Sequence, residues 1–407
     1  LRLWAALLTA ALLAPNAAAA TDWTLRGALF VPLQWSEIEG WRDDDHLKAY
    51  DTFLNSCRHM TRPGAKIAAD AKPLEKPLAR ICRHALRHKA KTATRARKFF
   101  EKEFRPVRIR RLGEQAGFLT GYYEPIIEGS RTKSDEFPVP VYGRPKDLVS
   151  AVEQTGPDFP NRGGVLRITE TGERVPYYDR GAIEDGALTG KNLELVWLRD
   201  PVDLFFTQIQ GSARVRLKEG GTMRINYAAH NGQPYTAVGG LLVRDGRIPR
   251  EEISMDRIRA WMAANPEEAK ALRRANRAYV FFRVVDNLPE DQEAIGAQSI
   301  PLVAGRSLAV DRNLHVYGTP FWIDAMLPLT AEKSQERYRR LMIGQDTGSA
   351  ILGPARGDLY FGAGDEMGRV AGRIRHPAEW VMLVPKSLRP KTIIPDVPMP
   401  RPRPAAS

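Results

Sequence analysis

Gly117-Phe118-Leu119-Thr120-Gly121-Tyr122-Tyr123-Glu124-Pro125 is the stretch on which the fold turns. Its start, 117–120, reads as a strand by its aromatic and β-branched content. Tyr122 and Tyr123 alternate along it, so one of the two is expected in a core. Before this stretch, to about Phe104, the pattern is helical. Leu47, Tyr50, Leu54, Cys57 and Met60 recur at helical spacing, as do Leu78, Ile81, Cys82 and Leu86, and Phe99, Phe100 and Phe104 mark a last helix that Pro106 stops. After it come short apolar runs punctuated by Gly, Pro and Asn. Residues 193–197, 205–209 and 213–217 read as strands, followed by a helical interlude over 255–276 in which Ile258, Trp261, Met262, Ala269 and Leu272 carry the apolar stripe and Pro266 opens a second helix. Strand texture resumes at 279–283, 300–303, 307–310, 340–344, 358–361 and 380–385. Short strands with turn chemistry between them point to a mainly β protein with flanking helices, built of β-barrels rather than a parallel doubly wound sheet.

The chain has 407 residues and a formal net charge of +13. Its length implies two domains. Residues 1–20 run from Arg2 through an apolar Leu/Ala/Trp core to Ala18-Ala19-Ala20, the layout of a secretory signal peptide. No later stretch approaches the roughly 18 uninterrupted apolar residues of a membrane span, and no cysteine follows the alanine run to carry a lipid. The expectation is an exported, periplasmic protein, with peripheral association with the outer membrane or the cell-wall machinery left open. For an exported chain the positive charge favours cell-wall polymers and anionic lipid over nucleic acid. Many of the cations crowd into 76–111, which reads as a solvated helix face. Residues 389–407 hold six prolines and read as an extended tail.

Cys57 and Cys82 are the two cysteines, and an even count in an oxidising compartment points to a disulfide, here one that staples two helices. A pair of buried free thiols is the alternative.

Several chemistries lack their residues. There is no CxxC, HExxH or GxSxG. Residues 185–192 miss the leading glycine and the final Ser or Thr of a phosphate loop, and 362–368 are one residue too long for GxGxxG. Seven widely spaced histidines offer no metal-ligand spacing, and no cofactor is implied. What remains are three aspartates in glycine-rich surroundings: Asp311, Asp346 and Asp358. A carboxylate beside strand aromatics can be desolvated enough to hold a proton near neutral pH. Aspartates of this kind also serve as turn and cap residues, and the pattern alone does not choose among the three.

The strings 119–125, Thr207-Gln208-Ile209-Gln210-Gly211-Ser212 and Gln345-Asp346-Thr347-Gly348-Ser349-Ala350 resemble the membrane-bound lytic murein transglycosylase A family, over about 117–385. Residues 300–385 resemble that family's three-aspartate domain, whose aspartates align with Asp311, Asp346 and Asp358. The resemblance implies a double-psi β-barrel with a second β-barrel domain inserted at about 126–253, and N-terminal and post-255 helices packed around the first barrel (21–125 and 254–388). It implies that Asp358 is the catalytic acid. Two departures stand out: Gly357 occupies a position that is aromatic in many members, and the loop from Asp346 is slightly longer.

The implied reaction cleaves the MurNAc-GlcNAc β-1,4 bond of peptidoglycan with formation of 1,6-anhydro-MurNAc. One carboxylate suffices because no water is activated: Asp358 protonates the glycosidic oxygen and then takes the proton of the muramic acid C6 hydroxyl. Such an acid needs its pKa raised, hence a mostly buried side chain with an apolar neighbour. Thr120, Tyr122, Tyr123, Gln208, Gln210, Ser212, Asp311, Asp346, Thr347 and Gly348 are the candidates for contacts to the glycan. The expected partner is the peptidoglycan strand, bound by a monomer. Two rival readings are a two-carboxylate hydrolase, with Asp346 or Asp311 as base, and a wall-binding module without catalysis.

Overall fold

The computed structural model describes residues 20–65, 72–151, 164–286 and 288–392. The expected signal peptide, Ala20 aside, and the tail beyond residue 392 lie outside them. Among the described residues no helix is long and apolar enough to cross a membrane.

The N-terminal helices are His46–Met60, Glu75–Arg87 and Ala93–Glu103. Asp45 and Thr92 cap the first and third by accepting the Lys48 and Arg95 amides. Their apolar stripes bury Tyr50, Phe53, Leu78 and Phe100, and a disulfide joins Cys57 to Cys82 across the first two. The region is not helical from its start. Thr21–Trp23 and Ala28–Pro32 are strands, the first parallel to Leu388–Pro390 and the second antiparallel to Phe104–Arg111. Strands this short carry too little periodicity to read. The tail also begins later than residue 389: Leu388 is buried, and Thr392 accepts a hydrogen bond from the Phe30 amide.

Six strands close on themselves. In order around the ring they are Pro320–Leu327, Glu336–Asp346, Ser307–Val310, Arg356–Ala363, Gly117–Glu124 and Arg375–Pro385, the last pairing back to the first. Two of the pairs are parallel, Gly117–Glu124 with Arg356–Ala363 and Ser307–Val310 with Glu336–Asp346. This is the double-psi barrel implied by the resemblance, with Phe104–Arg111 and Ala28–Pro32 extending the sheet beyond Arg375–Pro385. Its interior is filled by Leu119, Leu308, Phe321, Met342, Leu359 and Trp380 among others. Residues 300–303 form no strand; Pro301, which lacks an amide proton, makes one isolated bridge with Ile295.

The inserted part is a six-stranded sheet in the order Val280–Val284, Thr222–His230, Ser212–Leu217, Ile126–Ser130, Glu194–Leu198, Val139–Tyr142. A bridge between Gly143 and Phe282 brings its two edges together. Because Val280–Val284 belongs to this sheet, the insertion runs past Ile253. The helices Met255–Ala264 and Pro266–Ala275 pack against Phe205, Phe206 and Val238 of the inserted part, not chiefly around the first barrel. A further correction concerns 205–209, which is helix: Asp200 caps Pro201–Gln210, Pro201 opens it, and Gly211, at φ 85°, ends it. These start and stop signals outweigh the strand-like look of two adjacent phenylalanines, which here fill a helix contact.

Candidate active site

Parallel pairing sets Thr120 beside Asp358 and Tyr122 beside Tyr360. Alternation sends Leu119 and Leu359 into the barrel core and puts Phe118, Thr120, Tyr122 and Glu124 on the other face. Each of these four has a defined partner. Phe118 lies under the Arg356 guanidinium, 5.6 Å from ring centre to Cζ. Thr120 Oγ1 donates to Asp358 Oδ1 at 2.8 Å and accepts from Arg356 Nη2 at 2.8 Å. The Tyr122 hydroxyl donates to Asp346 Oδ2 at 2.8 Å. Glu124, 1% exposed, is held by Arg214 and Arg224 of the inserted sheet, which ties the end of this strand to the second domain.

The Thr120 hydroxyl has one hydrogen. Because Arg356 can only donate, that hydrogen must point to Asp358 Oδ1, so when Asp358 is protonated its proton sits on Oδ2. Burial pushes the Asp358 carboxyl up to about 6, against the pull of Arg356 and of the Thr120 hydrogen bond, with Asp346 adding a smaller push upward. The residue is half-buried, which keeps it reachable. Burial likewise lowers the Arg356 pKa, while Asp358 raises it.

Asp346 is placed differently. Its Oδ2 accepts from Tyr122, and its Oδ1 accepts the amides of Ala297 at 2.8 Å and Thr347 at 2.9 Å. Burial raises its pKa, and these three bonds lower it. Asp311, 2% exposed, accepts the Asn313 and Gly353 amides at 2.9 Å each and so orders the two loops beside the site.

The remaining residues marked in the sequence fall into two groups. Near the acid, Thr347 donates to the Val310 carbonyl and Gly348 is exposed in the following turn. Behind it, Gln210 Oε1 accepts the Tyr123 amide at 3.0 Å. Gln208 bonds the buried Arg180 and the Val280 carbonyl, and Ser212 is buried at the start of its strand. Both tyrosines are buried, where one groove residue was expected: Tyr122 packs its ring 5.1 Å from Tyr360, and Tyr123 packs against Gly368. Two consecutive residues on a strand can both be covered when each face of the strand has a layer over it.

Gly357 has a specific cause. A Cβ there would lie 2.4 Å from Trp380 Cη2, and one on Gly117 would lie 2.4 Å from Trp380 Cδ1. The indole thus fills the space that an aromatic residue at position 357 would need.

Sequence reasoning missed Arg356, although it adjoins the motif, because a lone arginine before a glycine carries no pattern. It also missed the aromatic residues of the inserted domain. Tyr235, in the loop after Thr222–His230, is partly exposed and within electrostatic reach of Asp358. Tyr227 and His230 are within such reach of Arg312 from the first barrel. Tyr227 and Tyr235 both keep part of their surface exposed. Among the described residues no group of three His, Cys, Asp or Glu side chains is placed to hold a metal ion.

Comparison with known proteins agrees with this architecture. The chain matches the MltA specific insert domain over residues 118–283 and the 3D domain over 306–384. A membrane-bound lytic murein transglycosylase A of Escherichia coli K12 is 32% identical over 268 residues, 65% of either chain. The chain thus spans about 65% of the length of the curated relatives it matches. The crystal structure of a membrane-bound lytic murein transglycosylase from Agrobacterium tumefaciens superposes with a TM-score of 0.77 at 36% identity, covering 88% of this chain and 97% of that one. MltA from Neisseria gonorrhoeae superposes with a TM-score of 0.72 at 30% identity, covering 91% and 96%. With both characteristic domains present in order and the fold shared along nearly the whole of a solved relative, the chain belongs to the membrane-bound lytic murein transglycosylase A family.

Proposed function

We propose that this protein is a peptidoglycan lytic transglycosylase that cleaves the MurNAc-GlcNAc β-1,4 bond with Asp358 as its single acid and base. The observation that carries the reading is one half-buried carboxyl with its pKa at about 6, beside two aspartates whose oxygens are already engaged. Protonated on Oδ2, Asp358 gives its proton to the glycosidic oxygen as the bond to C1 breaks. The resulting carboxylate accepts the proton of the muramic acid C6 hydroxyl as that oxygen bonds to C1. The proton count returns to its start and no water enters. Tyr227, Tyr235 and Phe118 supply the apolar surfaces for pyranose rings, and Arg356 and Thr120 hold the acid in orientation.

A two-carboxylate hydrolase needs a second carboxylate free to take a proton from water. Asp346 accepts three hydrogen bonds, and Asp311 is sealed between two loops. The reading implies a protein of the cell envelope, exported and acting in the periplasm.

The test is release of soluble muropeptides from purified peptidoglycan by the protein and by Asp358→Asn. Loss of about 10²–10⁴-fold in the variant is expected for removal of a general acid. A variant with undiminished release would remove Asp358 from the mechanism, and no release by either protein would favour a binding module.

A further inference from the structure

Residues 76–98 contain nine Lys and Arg and no Asp or Glu. Of these nine, only Arg97 has an ion-pair partner among the described residues, Glu101 at 2.9 Å. The fold does not spread these charges evenly over a solvated face. The end of helix Glu75–Arg87 and the start of helix Ala93–Glu103 meet around a concavity of about 550 Å³. Arg87, His88, Lys89, Lys91 and Arg95 rim it, and Leu86 and Phe99 line its apolar side. The four permanent cations of this rim are all exposed.

The shape is fixed from behind. Tyr50 donates to the Ala85 carbonyl at 3.0 Å and packs its ring 5.0 Å from Phe99, and the Cys57–Cys82 disulfide binds the second helix to the first. The loop carrying Lys89 and Lys91 therefore cannot simply splay apart to relieve repulsion. Four unpaired cations around one concavity are best neutralised by a ligand with clustered negative oxygens. A phosphate offers several acceptors at once, to the forked donors of arginine and the point charges of lysine. A lone carboxylate offers one charge.

We propose that this pocket binds a phosphate group, carried by an anionic phospholipid headgroup or by a soluble phosphate. The site shares no residue with the cleft at Asp358 and stands independently of the reaction proposed there.

Three proteins test it as full chains: the unaltered one; Arg87→Gln/Lys89→Gln/Lys91→Gln/Arg95→Gln; and a control with equal charge loss on the inserted domain, Arg131→Gln/Lys146→Gln/Arg174→Gln/Lys270→Gln. All eight positions are exposed, and unfolding curves verify that each variant folds. Binding is measured to vesicles of phosphatidylglycerol in phosphatidylcholine, to phosphatidylcholine alone, and to inorganic phosphate by calorimetry. A lipid source predicts salt-sensitive binding to the anionic vesicles only, weakened about tenfold or more in the pocket variant and little in the control. A soluble source predicts phosphate binding that only the pocket variant loses, without vesicle binding. Equal losses in both variants would make the effect one of net charge and overturn the proposal. So would the absence of binding to either the anionic vesicles or inorganic phosphate.

Discussion

Thr120 Oγ1 sits 2.8 Å from Asp358 Oδ1, on the neighbouring parallel strand, and its only hydrogen is directed there by Arg356. This contact fixes which oxygen of the acid carries the proton. It also lowers the Asp358 pKa that burial raises.

Thr120→Val keeps the shape and removes the hydroxyl. Activity should fall, and the descending limb of the pH profile, near pH 6 in the unaltered protein, should move to higher pH. Arg356→Gln should move the limb in the same direction, because the guanidinium is the largest influence opposing burial. Thr120→Ser should restore both rate and limb. A valine variant with an unmoved limb would show that the hydroxyl does not touch the ionising group in solution.

Asp358 also links stability to pH. Its folded pKa, about 6, lies above the ordinary 3.8, so ionisation costs the folded state more than the unfolded one. The favourable contribution is complete below about pH 4 and is lost as pH rises through 6. Asp358→Asn should therefore be more stable than the unaltered protein at pH 8, by about 1–3 kcal/mol given the partial exposure, and the gain should vanish below pH 4. Thermal unfolding at the two pH values measures it, and equal stability at pH 8 would mean the carboxylate is well solvated.

Gly357→Ala places a methyl group against Trp380 Cη2 and 3.0 Å from the Ala309 carbonyl. A loss of about 1–3 kcal/mol is expected from overpacking, together with reduced activity from displacement of the adjacent Asp358. Trp380→Phe, with its smaller ring, should recover part of both in the double variant. Additive losses would show that the indole does not dictate the glycine.

Cys57 and Cys82 are 25 residues apart in sequence. Closing a loop of this length should stabilise the fold by about 2–4 kcal/mol. Denaturant unfolding of Cys57→Ser/Cys82→Ser against the unaltered protein checks this, with activity per folded molecule unchanged because the disulfide takes no part in the hydrogen bonds of Asp358.

Much of this was legible in the sequence, for physical reasons that differ from place to place. The strand at 117–120 and the helices at 255–276 announce themselves through composition and through Pro266. Helix Pro201–Gln210 does not, although Asp200, Pro201 and Gly211 spell its ends, because adjacent Phe205 and Phe206 fit a strand equally well. The short strands Thr21–Trp23 and Leu388–Pro390 exist only because they find each other across the whole chain. The three aspartates were visible as a set, yet their separation into one open acid and two engaged acceptors depends on hydroxyls and amides that converge from distant segments. Residue pattern alone could not have chosen Asp358; the family resemblance singled it out, and the geometry supplies a physical reason.

The most direct measurement is the mass of muropeptides released from purified peptidoglycan in water enriched in ¹⁸O. A single acid and base with the C6 hydroxyl as nucleophile predicts products one water lighter than hydrolytic fragments and free of the label. Fragments carrying ¹⁸O at the muramic acid C1 would mean that water attacks, and would contradict the proposed role of Asp358 as the lone carboxylate of a transglycosylase.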